Sequence, residues 1–593
     1  MVSVIRLVFV LAALAAAPAS AAVSVVVSPG TVSLPANGAQ QFKAQVFNST
    51  NPNVRWEVNG VPGGAPSIGV ISDAGLYTAS SDAPSVLSVT VEAEPAAAPD
   101  SPGVAKVGVA AGMKSGPSYY ISPTGKNSGS GTQSSPWATF AYALAHLPAG
   151  AQLLVEGDAS HPYHQLVTIN RSGSPTAGFL TIEAAPGAHP VIDGTGQPIL
   201  GGENGLVTIS NASWVRVKGL ELQNYKSSTK ETPVGIYVEG QGDHIEILNN
   251  KIHDIETSLT TTSADALGIY VAGTAKPSIN WLTIDGNELC NLILGFSESL
   301  SLSGNVELWQ VTNNVVHDNN NIGINIEGFF NTDMADPELD QARRGLVAGN
   351  VVYNITTGKN ISYGDSLGAD GLYVDGGTLV TLQNNLVYNS DYGIELASEN
   401  ANRNTSWVWA HDNIVYNSNL SGITIGGQYP KIHDGTIDCF VTNNTFYLDD
   451  VTNSGSGEIQ VQFYATNNVF DNNILFANAQ GLFLNDPGAG APASLDHNLY
   501  FSPGDTSGTP WIWEGNMNIT NLSQFQAASG QDKHSKVANP EFVGAAAHNF
   551  AIPSTSPAVA RGEIVSLSNN GLVDYSGKPR IFSGTIDAGA LQH

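Results

Sequence analysis

From about residue 250 the apolar positions recur in blocks that fit neither a heptad nor a long strand. An Asn is followed by a mostly apolar triplet in Asn250-Lys-Ile-His, Asn287-Glu-Leu-Cys, Asn314-Val-Val-His, Asn350-Val-Val-Tyr, Asn385-Leu-Val-Tyr, Asn413-Ile-Val-Tyr, Asn444-Thr-Phe-Tyr, Asn473-Ile-Leu-Phe and Asn498-Leu-Tyr-Phe. Neighbouring blocks stand 25 to 37 residues apart, and a variable period around a constant block predicts a solenoid with insertions on some coils. A second pattern, Gly-apolar-x-apolar, follows most of these Asn positions at Gly268, Gly323, Gly371, Gly393, Gly422 and Gly481. Strand alternation puts the first and third residues after each Gly inside and the second and fourth outside. The pattern predicts an all-β parallel solenoid, with Asn laddering its amide from coil to coil and tolerating left-handed turns.

The stretch 23–112 has a different rhythm: short alternating runs such as Val23 to Val27 and Gln41 to Val46, broken by Pro, Gly and Asn turns around a central Trp56. That is the pattern of a small β-sandwich. An Ala- and Pro-rich linker at 94–103 separates it from a solenoid expected over 117–593. Residues 1–22 carry Arg6, an apolar run from Leu7 to Ala17 and the small-x-small triplet Ala19-Ser20-Ala21, which reads as a cleaved export signal. No later stretch reaches the roughly 18 uninterrupted apolar residues of a membrane span. The expectation is a secreted protein, extracellular or periplasmic.

Composition narrows the partners. Lys and Arg number 23 against 51 Asp and Glu, a net charge of −28, which repels nucleic acid and anionic membranes. Two cysteines, Cys290 and Cys439, exclude a disulfide framework. Neither nucleic acid nor a membrane is an expected partner, and a monomer is expected.

Several segments resemble known families. Gly69 to Ala79 resembles the signature of bacterial Ig-like modules that precede extracellular enzymes. The run from Tyr119 through Trp137 to Phe140 resembles the opening of pectate-lyase-like right-handed parallel β-helix proteins, where a short helix, here 136–147, caps the first coil. Asn539-Pro-Glu-Phe-Val, Ser556-Pro-Ala-Val and Asp574 to Arg580 resemble their closing segment. The fold implied is a right-handed parallel β-helix behind a β-sandwich Ig-like domain. The fold hosts hydrolases, lyases and non-catalytic adhesins alike.

Chemistry is expected on the outward stripe beside the Gly column, because insertions at 255–267, 328–345, 355–370, 398–406 and 427–437 flank it as walls. Its outward positions read Tyr237/Glu239, Tyr270/Ala272, Ser297/Ser299, Asn325/Glu327, Tyr373/Asp375, Glu395/Ala397, Thr424/Gly426 and Phe483/Asn485. Asp375 and Glu395 are the leading catalytic pair and Glu327 the reserve, since glycoside hydrolysis needs one protonated and one ionised carboxyl. Tyr237, Tyr270 and Tyr373 are candidates to stack on sugar, and His433 to orient it. The stretch Gly371 to Glu395 resembles the catalytic region of β-helix β-xylosidases, which implies an Asp nucleophile and a Glu acid. Here the Glu stands at the second outward position, with Ala397 at the fourth. Ala369-Asp370-Gly371, Asp391 and Gly422 to Gly427 follow the frame of calcium-dependent pectate lyases, which implies Asp370 and Asp391 as Ca²⁺ ligands. Thr424 stands where that family has its lysine base. No cofactor is required by the hydrolase reading; Ca²⁺ belongs to the lyase reading.

Overall fold

The structure is a computed structural model and describes residues 23–81, 87–96, 102–109, 116–261, 264–427, 430, 434–488, 490, 494–504 and 509–593. From Ser118 onward it is a right-handed parallel β-helix with three long sheets running the length of the rod. One sheet passes through Gln152–Val155, Val306–Thr312, Arg343–Ala348 and Thr378–Gln383. A second, called here the cleft sheet, passes through Thr232–Gly240, Leu267–Gly273, Leu300–Gly304, Ile324–Glu327, Asp370–Asp375, Tyr392–Ala397 and Ser421–Ile425. The third carries the triplets that follow the repeating Asn, from Lys251–Thr257 through Val315–Asn319 to Leu499–Phe501.

The repeating Asn side chains form one continuous buried ladder. Asn287 Oδ1 accepts from both the backbone N–H and the side-chain amide of Asn250, at 2.9 and 3.0 Å. The same pair of bonds links Asn314 to Asn350 and Asn350 to Asn385, and so on up to Asn473 and Asn498. Asp532 and Ser535 close the top: Asn498 donates to Asp532 Oδ1 through Nδ2 and to Ser535 Oγ through its backbone N–H. The left-handed geometry expected of these Asn falls instead on the residue before each one, among them Asn249, Asn313, Asn384, Asp412 and Asn443, with φ between 52° and 57°. A laddering amide must repeat in orientation from coil to coil, so the turn is taken one position earlier.

The glycine of the second pattern has an equally local cause. A Cβ on Gly323 would lie 2.5 Å from the Gly371 carbonyl oxygen, one on Gly371 2.8 Å from that of Gly393, and one on Gly393 2.4 Å from that of Gly422. Successive coils therefore approach backbone to backbone at the entry to the cleft sheet, and at these three positions a Cβ would meet the next coil's carbonyl oxygen. Ser299 takes this place in its own coil: its carbonyl oxygen would lie 2.6 Å from a Cβ on Gly268.

Thr139 caps the helix Phe140–His146, accepting from the Tyr142 N–H, so the helix is shorter than the 136–147 expected; Pro136 and Trp137 lie before the cap. The sandwich strands between Ser24 and Val109 enclose Phe42, Trp56, Tyr77, Val91 and Val107. The sandwich docks on the first sheet, where Val61 and Ala65 pack on Leu346, Ser67 Oγ donates to Gln310 Oε1 at 2.8 Å, and Arg55 lies over the Trp409 ring at 4.7 Å. Residues 1–22 and part of the 94–103 linker lie outside the described residues. Among the described residues no helix is long and apolar enough to cross a membrane, which says nothing of strand-built membrane proteins.

Candidate functional site

On the cleft sheet the strand register places Glu327 opposite Asp375 and Asp375 opposite Ala397; Asn325 faces Tyr373, which faces Glu395. Neighbouring strands lie about 4.8 Å apart, so Glu327 and Asp375 stand side by side, while Glu395 sits one strand further and two residues back, roughly 8 Å from Asp375 between Cα atoms. Above this stripe opens a cavity of about 560 Å³. Its floor is Tyr270, Asn325, Glu327, Tyr373 and Asp375. Its walls are loop residues: Asp265 from one insertion, Phe330 and Thr332 from another, Tyr363 from a third and Glu399 from a fourth. The insertion at 427–437 contributes no lining residue among those described, and His433 lies outside the described residues.

Six carboxyl groups line this space, those of Glu203, Asp265, Glu298, Glu327, Asp375 and Glu399, and no Lys or Arg is among its described lining residues. Burial raises the Asp375 carboxyl well above its ordinary range, and the Glu399 charge raises it further; the Glu399 N–H, donating to Asp375 Oδ1 at 3.0 Å, partly opposes the shift. Burial likewise raises Glu327, but here the Ser301 hydroxyl donates to Oε1 at 2.5 Å and Asn325 Nδ2 donates to the same oxygen at 3.1 Å. Two donors favour a carboxylate at Glu327, whereas Asp375 faces mainly other acids. Both carboxyls are thus raised, Asp375 further than Glu327, so a proton shared by the pair rests preferentially on Asp375, and acid–base chemistry uses such a difference. Asn325 Oδ1 is buried without a partner beside them, an acceptor available to a hydroxyl.

Glu395, ranked above Glu327 on sequence, does not line the cavity. It shares a hydrogen bond with Asp370, itself buried and with Oδ1 otherwise unpartnered. Burial lifts Glu395 to about 7, with Asp370 pulling it back and Glu399 pushing it up. Asp391, read from sequence as a Ca²⁺ ligand, is engaged by six donors: it accepts from the Thr356 and Asn419 side chains, from the Thr357 hydroxyl and N–H, and from the N–H groups of Gly368 and Ala369. Asp370 and Glu395 remain the pair with oxygen atoms suited to a hard cation. Tyr270 and Tyr373 line the cavity, whereas Tyr237 lies behind Tyr270, stacked on it at 5.5 Å.

The sequence reading missed Glu298 and misassigned two coils. Ser301 and Ser303, not Ser297 and Ser299, are the outward pair, because Ser301 is in register with Tyr270 and Asn325. The serine standing in for glycine hid the strand start, and Gly295 to Glu298 became wall. In the Gly481 coil the frame slips by two residues: Asn485, not Phe483, pairs with Gln460, and Phe483 joins the core.

A pH effect follows from Glu395. Its raised value means that the folded chain keeps a proton the unfolded chain releases, so this contribution is fully present below about 4.5 and is lost as pH rises through about 7. The thermal midpoint of the wild type should fall between pH 5 and pH 8 more steeply than that of Glu395→Gln; equal slopes would remove Glu395 as the cause.

Comparison with known proteins agrees with the fold. The family model described as Pel9A-like right-handed beta helix region matches residues 119–271. Over 446 residues the chain is 33% identical to the uncharacterized protein YwoF of Bacillus subtilis (strain 168), spanning 75% of this chain and 92% of that protein. Among solved structures, a GH136 lacto-N-biosidase from Eubacterium ramulus aligns with a TM-score of 0.48 at 14% identity, over 64% of this chain and 67% of that one. Pectate lyase Pel9A aligns with a TM-score of 0.42 at 14% identity, over 81% and 98%.

Proposed function

The chain belongs to the family of the Bacillus subtilis protein YwoF, and for it we propose an exported glycoside hydrolase that cleaves a neutral polysaccharide or oligosaccharide in the acid-lined cavity. The observation that carries this reading is that cavity: six carboxyl groups facing Tyr270, Phe296 and Tyr373, with no basic side chain among the described lining residues. Asp375, the more strongly raised of the two, donates to the leaving glycosidic oxygen; Glu327, whose rise is opposed by the Ser301 hydroxyl, attacks the anomeric carbon or takes a proton from water. The tyrosine faces suit the C–H side of a sugar ring. A uronic-acid chain entering this space would meet uncompensated negative charge, hence a neutral substrate.

The lyase reading is weaker on the same grounds. Thr424, at the place of the base, is buried and donates to Gln460 Oε1 at 3.3 Å. Arg403, a possible substitute, is held by Glu338 at 2.9 Å and stacked over Phe329. Lys431 lies outside the described residues.

The test is a panel of neutral and acidic glycans, with and without a calcium chelator, scored for reducing ends and for the ultraviolet absorbance of a new carbon–carbon double bond. The hydrolase releases reducing ends from a neutral glycan, without that absorbance and unaffected by chelation. Unsaturated products that vanish on chelation would replace it with the lyase.

A further inference from the structure

On the third sheet, a side of the rod separate from the cleft sheet, Glu288 and Cys290 lie two residues apart on the strand Glu288–Cys290, and His317 on the next coil is in register with Cys290. Cys290 is buried, 3% exposed, and His317 and Glu288 close over it. The Cys290 sulfur lies 3.7 Å from Glu288 Oε1, and His317 Nε2 lies 3.6 Å from the same oxygen. All three donor atoms fall within 4.8 Å of one another. Donors around a tetrahedral zinc at about 2.0–2.3 Å are separated by about 3.3–3.8 Å, so two of these edges already have the length that a bound ion imposes.

The orientation of His317 is the second observation. Its Nδ1 is tied to Asp318 Oδ2 at 2.7 Å, which puts the proton on Nδ1 and leaves the Nε2 lone pair aimed at the cluster. A carboxylate behind an imidazole is the usual outer support of a metal-bound histidine. His253, the other histidine in register with Cys290, is engaged at both nitrogens, by Asp254 at 2.6 Å and Glu221 at 3.0 Å.

We propose that Glu288, Cys290 and His317 bind a divalent transition-metal ion of the Zn²⁺ class, with water in the fourth position. Sulfur and imidazole select this class over Ca²⁺ and Mg²⁺. Binding forms the metal–sulfur bond and releases the Cys290 thiol proton to solvent. Lys251, 3.7 Å from Glu288 Oε1, is the cation that the ion displaces. Bound, the ion staples two successive coils.

The full chain titrated with Co²⁺ tests this. One equivalent should give a thiolate-to-cobalt charge-transfer band in the near ultraviolet, removed by Zn²⁺. Asp496, His497 and His534 also cluster but hold no sulfur, so the band reports on a cysteine. Cys439, the other cysteine, is fully buried in the core. Cys290→Ser should abolish the band, His317→Gln should weaken binding at least tenfold, and Asp318→Asn should weaken it about 10–100-fold. Glycan cleavage stays unchanged in Cys290→Ser, which separates this outcome from that of the cleft. Absence of the band in the wild type, or its survival in Cys290→Ser, would overturn the proposal.

Discussion

Asp375→Asn should lower kcat/KM on the cleaved glycan by about 10²–10⁴-fold, the usual weight of a positioned general acid. The amide is isosteric and keeps an oxygen to accept the Glu399 N–H that now reaches Oδ1 at 3.0 Å. It also removes a group that is buried against Glu399 and Glu327 and already resists ionisation, so folding should be undisturbed or slightly favoured. The loss is therefore chemical, and near-wild-type circular dichroism and thermal midpoint should accompany it. Glu327→Gln should fall in the same range, because the amide cannot serve as nucleophile or base. Glu395→Gln should lose far less activity, since Glu395 pairs with Asp370 outside the cavity lining. Equal loss for Glu395 and Asp375 would restore the pairing favoured by sequence.

The second large effect is on stability. Asn350→Ala removes the oxygen that accepts both the Asn314 backbone N–H and its side-chain amide, and the donor that reaches Val311 O and Asn385 Oδ1. Asn350 is fully buried, so water cannot replace these bonds. Leaving the Asn314 N–H unsatisfied and a small void beside it should cost about 2–4 kcal/mol, seen as a lower urea midpoint. Each coil contacts chiefly its neighbours, so the damage should spread from this coil along the rod. A shift under about 0.5 kcal/mol, typical of surface sites, would mean that the ladder is ornamental.

Much of the fold was legible because both repeating patterns have direct physical causes. The Asn positions are the ladder itself, and the glycines mark where coils touch through backbone alone. Where those causes are met by other residues, reading fails: Ser299 replaces the glycine, and the strand was placed four residues early. The cleft was legible in part. Period-2 alternation put Glu327 and Asp375 on one outward stripe, and the insertions that wall it were identified by length. Alternation gives only direction, however, and what a carboxyl meets there depends on loops whose path the sequence does not encode locally. Asp391 reads as a Ca²⁺ ligand beside Asp370, but the loop before Asp370 wraps over it and supplies five of its donors, two from Thr357 and one each from Thr356, Gly368 and Ala369. Glu298 and Glu399 lie on such loops and carry no repeat signature.

A crystal structure of Asp375→Asn soaked with an oligomer of the cleaved glycan bears most directly on whether catalysis resides in the walled groove. The sugar should lie across Tyr270 and Tyr373, with the scissile oxygen within hydrogen-bond reach of residue 375 and the anomeric carbon facing Glu327. Sugar bound on another face of the rod, or placed against Asp370 and Glu395 with the groove vacant, would contradict the account.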